Sequence, residues 1–152
     1  GHNAGRQLLE RLYREVTGQP LPEILLTKQG KPYFAGSDWH FSVSHTKNHV
    51  FCALSRRSIG IDAEEADRNI DLRLADKILS PTEKARFDAA GDKHAALLRL
   101  WVLKEACGKL RGTGWGNSLR RTDFDPGDPR VRTIDGCYVA ILEENEEKHH
   151  AF

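Results

Sequence analysis

The sequence holds no methionine, only three cysteines, and no apolar run long enough to cross a bilayer as a helix. Cys52, Cys107 and Cys137 are odd in number, far apart and set among apolar residues, without CxxC spacing. That pattern excludes a disulfide scaffold and a zinc ribbon and reads as reduced core cysteines of a cytoplasmic protein. An excess of charge is missing too: 23 Lys and Arg stand against 22 Asp and Glu, a net of +1. A general nucleic-acid binder is thereby excluded, and any anionic partner must be met by local basic sites. The opening "GHNAGRQLLERL" lacks the charged-then-apolar design of a secretion signal, and Gly1-His2 without a Met points to a start further upstream. No membrane and no nucleic acid is expected as a partner.

What is present suits a soluble globular protein. Hydrophobic residues make up 39% and charged residues 30% of 152, enough for one compact unit or two small halves around a shared core. Residues 4–17 place Leu8, Leu9, Leu12, Tyr13 and Val16 on one helical stripe, which Gly18 and Pro20 end. "EILLTKQGKPYF" predicts a short strand, a turn at Gln29-Gly30 and a second extended piece fixed by Pro32. From His40 the alternation predicts a three-stranded meander: "HFSVSH", "HVFCALS" and Arg57 to Glu64. Asn69 or Asp71 could cap a helix through Ile78, and "SPTEKARFDAA" starts a helix with Ser80 as cap, Pro81 at the first position and Glu83 three residues on. Residues 92–111 predict the longest helix, apolar almost all round and ended by Gly112. Beyond the Gly-rich "GTGWGNS", weaker strand signals stand at "RTDF", "VRTI", "CYVAIL" and "HHAF".

Two places carry chemistry. In "RSIGIDAEEADR" the strand alternation sends Ile59, Ile61 and Ala63 to one face, with Gly60, Asp62 and Glu64 on the other. Carboxylates two apart on a strand start roughly 6.5 Å from each other and can converge on one small cation. On a solvated face they would mean only solubility. The second place is the long helix, where Lys104, Glu105 and Lys109 interrupt Leu100, Trp101, Val102, Leu103, Ala106 and Leu110. Glu105 and Lys109 could be an ordinary i,i+4 pair, yet burial makes uncompensated charge cost several kcal/mol. A cation shared with Asp62 and Glu64 would compensate Glu105, and an anionic ligand would compensate the lysines. A magnesium-bound diphosphate supplies both.

In order, "GKPYF", "FSVSHT", "IGIDAEE" and "LWVLKEACGKLRGTG" resemble the four signature blocks of the 4′-phosphopantetheinyl transferases. The block order is similar to the surfactin-synthetase-type branch, where one chain carries two similar halves around one active site. The trimeric holo-acyl-carrier-protein synthases run their acidic and Ser-His-Thr blocks in the reverse order. The resemblance covers nearly the whole chain. It implies an α+β fold of two pseudo-two-fold halves, each a three-stranded antiparallel sheet packed on helices, with residues 1–58 the shortened N-terminal half and 59–152 the half carrying the metal site.

It also implies a reaction: transfer of the 4′-phosphopantetheine arm of coenzyme A, the co-substrate, to a serine of a carrier protein, releasing 3′,5′-adenosine bisphosphate. By similarity Asp62, Glu64 and Glu105 would hold Mg2+, or Mn2+, and Glu105 would also be the base for the serine. Lys104 and Lys109 would contact the phosphates, with Lys104 counted among the catalytic groups, and Lys31 and Pro32 would line the adenine end. Ser44 and His45 would meet the nucleotide phosphates, with Arg6 a further phosphate ligand. The partner would be an acidic helical apo carrier of acyl, polyketide or peptidyl type, met by a monomer through a basic lip for which Arg56, Arg57, Arg111, Arg120 and Arg121 beside Trp115 are candidates. Two departures stand out. Thirty residues precede Lys31, fewer than in longer relatives with an additional basic N-terminal strand, and Ala63 replaces a larger aliphatic residue. The competing readings are a coenzyme A- or carrier-binding module with weak turnover, and a magnesium-dependent nuclease, against which the near-neutral charge counts.

Overall fold

The computed structural model describes residues 2–112 and 121–144. The fold is α+β, built from helices and small antiparallel sheets. Helix α1 (His2–Thr17) leads to the hairpin of β1 (Ile24–Leu26) and β2 (Pro32–Phe34), then to the paired β3 (His40–His45) and β4 (Val50–Ser55). Strand β5 (Ile59–Glu65) follows, then a 3-10 turn at Leu72–Leu74, α2 (Ala75–Ile78), α3 (Pro81–Asp88), the long α4 (Lys93–Arg111), β6 (Val131–Ile134) and β7 (Cys137–Glu143).

Local signals set most of these ends. Ser80 and Glu83 form the expected capping box of α3, with Pro81 in the first turn. Asp92 caps α4 through the Ala95 N–H at 3.0 Å. At the other end Gly112 takes φ 72° and returns its N–H to the Gly108 carbonyl, a left-handed cap that suits glycine. Between β6 and β7 the residues Asp135 and Gly136, at φ 51° and 76°, make a two-residue turn whose twist matches the strands.

Pairing departs from the expected meander. Strand β5 leaves β4 and joins β7, which lies between β5 and β6 in a three-stranded antiparallel sheet. Side chains stitch β5 to β3 instead. The Ser42 hydroxyl accepts the Ile61 N–H and the Ser44 hydroxyl accepts the Ala63 N–H, each at 3.0 Å. The same offset of 19 residues at both bonds means that the two strands run parallel. "RTDF" contributes no strand, because the Thr122 hydroxyl and Phe124 N–H are drawn to the buried Glu83 carboxylate. "HHAF" and the Gly-rich loop, with Trp115 and Arg120, lie outside the described residues.

Helix α4 is buried on nearly every side, as its composition requires, with Leu97, Leu98, Leu100, Val102, Leu103 and Ala106 all 0% exposed. Its early turns pack with Ile70, Leu79 and Phe87 below, and its later turns cover β7 and β6 through Val131, Ala140 and Leu142. Ile61 and Ala63 of β5 pack on the other sheet face with Cys137, Val139 and Phe51. The α1 stripe is narrower than expected: Leu9 and Tyr13 are buried against Phe34 and Phe41, while Leu8 and Val16 are exposed. All three cysteines are free thiols. Among the described residues no helix is long and apolar enough to cross a membrane.

Candidate active site

The site begins with a glycine. A Cβ on Gly60 would overlap the Ala106 carbonyl oxygen and come within 2.7 Å of the Leu110 nitrogen, so α4 lies directly on the bare backbone of β5. That contact sets Asp62, on the same strand face, beside the helix turn carrying Glu105 and Lys109. Glu105, Gly108, Lys109 and Gly112 then look into one cavity of about 480 Å3 from a single side of α4.

The cavity draws the predicted residues together from distant segments. Arg6 of α1, Lys31 just before β2 and Pro32 at its start, His45 at the end of β3, and Glu105 and Lys109 of α4 all line it. Gly5 lets α1 approach β3, since a Cβ there would stand 2.9 Å from His45 Nε2. The Lys31 ammonium donates to the Leu110 carbonyl at 2.7 Å and the Ser58 hydroxyl at 3.2 Å, ending α4 with a positive charge, while its stem passes over Gly112. Burial lowers its pKa.

Lys109 reaches into the seam between β3 and β5. Its ammonium donates to the Val43 carbonyl at 3.2 Å, the Ile61 carbonyl at 2.9 Å and Asp62 Oδ1 at 3.2 Å. One lysine thus serves two strand edges that lack a ladder. Asp62 Oδ1 also accepts from the Ser44 hydroxyl at 3.3 Å, but its buried Oδ2 has no hydrogen-bond partner among the described residues. Burial, the largest cause, and then the neighbouring Glu64 push the Asp62 pKa up to about 6 against the pull of Lys109. Glu105 is raised to about 7, chiefly by burial and then by the negative charges of Asp62 and Glu64. Glu64 itself turns to Arg68, 2.6 Å away, so the three carboxylates influence one another without closing on a common point.

Such a set suits a hard cation. The donors are all carboxylate oxygens, one is a buried acceptor lacking a hydrogen, and Asp62 and Glu64 both raise the cost of ionising Glu105.

Four expected residues are not among those lining the cavity: Asp62, Glu64, Ser44 and Lys104. Ser44 is buried and holds Asp62 and the Ala63 N–H rather than facing the cavity. Lys104 is 2% exposed on another side of α4, with its ammonium 2.7 Å from Glu83 and 2.6 Å from the Thr122 hydroxyl. One residue along a helix turns a side chain by about 100°, which separates Lys104 from Glu105. Lys104 therefore secures α3 and the segment after residue 121 to α4 and does not line the cavity. Lys104→Met should cost about 3–5 kcal/mol in urea unfolding, since it leaves Glu83 charged and buried. Unchanged stability with lost turnover would restore a direct role. The sequence reading missed Ser42, Gly5 and Gly60; a glycine inside a strand was the one available signal.

The sequence is similar to those of known proteins. A profile of the 4′-phosphopantetheinyl transferase superfamily matches residues 58–151. The 4′-phosphopantetheinyl transferase AcpT of Salmonella typhi is 33% identical over 144 residues, covering 91% of this chain and 71% of that protein. AcpT of Escherichia coli K12 is 37% identical over 145 residues, covering 91% and 70%. Sfp of Bacillus subtilis is 36% identical over 89 residues, covering 56% and 39%. The chain belongs to the 4′-phosphopantetheinyl transferase superfamily, a family of enzymes that transfer the phosphopantetheine group to carrier proteins.

Proposed function

We propose that this chain carries out that transfer from coenzyme A with its own Glu105 at the reacting centre, and that Asp62, Glu64 and Glu105 would hold Mg2+ or Mn2+. The observation that carries the reading is the single cavity lined by Arg6, Lys31, Pro32, His45, Glu105 and Lys109. Cations rim an apolar hollow there, as a phosphorylated nucleotide with an adenine requires. Lys31 and Pro32 line the adenine end, and Arg6 and His45 take the phosphates. The active site lies between residues 1–58 and 59–152, whose seam is the β3–β5 contact.

Bound there, the cation would neutralise diphosphate oxygens beside the attacked phosphorus. The serine Oγ attacks the β-phosphorus as Glu105 removes its proton, and the bond to the bridging oxygen breaks to release 3′,5′-adenosine bisphosphate. Lys109 acts as a fixed positive charge, because its three protons already meet three oxygens. The partner is an acidic helical apo carrier of acyl, polyketide or peptidyl type, met by a monomer in the cytoplasm, where the free thiols remain reduced.

Mass spectrometry of apo carriers of the three types, incubated with the protein, coenzyme A and magnesium, tests the reading. A gain of one phosphopantetheine arm on the carrier serine is expected. No gain on any carrier, with coenzyme A still bound, would leave a binding module instead. For the docking lip, Arg111 and Arg121 are exposed and line one cleft with Arg86 and Arg130. Arg111→Glu with Arg121→Glu should raise the carrier KM about tenfold and leave the KM for coenzyme A in place. An unchanged carrier KM removes these arginines from the interface.

A further inference from the structure

We propose that His49, Glu65 and Cys137 form a second cation site, for a divalent ion of the zinc class, on the face of β5 opposite the catalytic carboxylates. Among the described residues this is the trio of His, Cys, Asp or Glu side chains whose ligand atoms all lie within 4.8 Å of one another. His49 Nδ1 is 3.0 Å from Glu65 Oε2, Cys137 Sγ is 2.8 Å from the same oxygen, and Sγ and Nδ1 are 3.4 Å apart. Tetrahedral zinc, with bonds of about 2.0–2.2 Å to nitrogen and oxygen and about 2.3 Å to sulfur, spaces its ligands roughly 3.4–3.6 Å apart. The triangle therefore needs to widen by less than about 1 Å to receive the ion.

Rigid backbone presents all three groups. Glu65 and Cys137 face each other as register partners at the end of the β5–β7 ladder, and Cys137 directly follows the Asp135-Gly136 turn. His49 is fixed by its N–H to the Thr46 hydroxyl at 2.9 Å and by its ring lying over Phe51. Asn48 Nδ2 donates to Glu65 Oε1 at 3.0 Å, which orients the carboxylate and leaves Oε2 toward the histidine and the thiol. Exposure is graded, from a buried Cys137 through Glu65 at 18% to His49 at 30%, so a fourth position faces solvent for a water.

The donor set separates this site from the other. One thiolate, one imidazole and one carboxylate oxygen favour zinc or cobalt, whereas the all-oxygen set of Asp62, Glu64 and Glu105 favours magnesium. On binding, the Cys137 S–H bond breaks, a sulfur–metal bond replaces it, and one proton leaves to solvent. The ion then joins the β3–β4 turn to the ends of β5 and β7. The site is independent of the transferase reading.

Chelator-dialysed protein titrated with Co2+ should develop, at one equivalent, the near-ultraviolet charge-transfer band of a cobalt thiolate. Zn2+ should displace it and excess Mg2+ should not. Cys137→Ser should abolish the band, His49→Ala should weaken cobalt binding at least about tenfold, and Cys52→Ser should change neither. His49 is partly exposed, so its variant decides the matter even if Cys137→Ser folds poorly. Absence of the band at one equivalent, or a band of full affinity in His49→Ala, overturns the site.

Discussion

Glu105→Gln leaves coenzyme A bound and the carrier unmodified, with turnover reduced about 10²–10⁴-fold or more. The substitution keeps the side chain's size and removes its charge and its ability to take a proton. Glu105 lines the cavity with Gly108 and Lys109 and feels the negative charge of Asp62. Without a bound cation, burial and the two neighbouring carboxylates raise its pKa to about 7, and a cation held by the three carboxylates would lower it, leaving Glu105 ionised and able to receive the serine proton. Single-turnover mass analysis of the carrier measures the effect, and a coenzyme A binding isotherm on the same sample shows whether the cavity survives. Turnover within threefold of the parent would remove Glu105 from the chemistry and leave Asp62 and Glu64 to act without it.

The parts of this site readable from sequence are those that follow from nearby residues. Ser80 with Glu83, Asp92 and Gly112 mark helix ends because their hydrogen bonds close within one turn. The reasoning that buried charge needs compensation pointed to Glu105 and Lys109, which line one cavity from the same side of α4. It misplaced Lys104, whose partner Glu83 had already been assigned to the capping box; one buried carboxylate performs both duties, with Oε1 meeting the Ser80 N–H and the Lys104 ammonium. Strand partners were less legible. Pairing of β5 with β7 joins residues such as Asp62 and Ala140, and nothing local to either names the other. "FSVSHT" reads as a phosphate-facing turn, yet Ser42 and Ser44 serve chiefly to accept β5 N–H groups, a role visible only once β3 and β5 lie side by side.

Gly60→Ala is expected to be as damaging as loss of the base, through position rather than chemistry. In an open strand the exchange would stabilise slightly, because glycine loses more backbone freedom on folding. Here the added methyl meets the main chain of α4 at Ala106 and Leu110, and main chain inside a helix cannot swing aside as a flexible side-chain end can. Helix and strand must separate, and α4 is held on its other sides by Leu97, Leu98, Leu100 and Leu103, all 0% exposed. Overpacking of that kind costs about 3 kcal/mol or more, a large share of a total stability of about 5–15 kcal/mol. The same displacement moves Glu105 and Lys109 away from Asp62, and a shift of about 1 Å at a reacting centre lowers turnover about 100-fold. Urea unfolding of Gly60→Ala, with turnover measured where the variant remains folded, checks both effects. Full stability with full activity would mean that α4 can ride higher on β5 without disturbing the site, and that the close contact at Gly60 does not set its geometry.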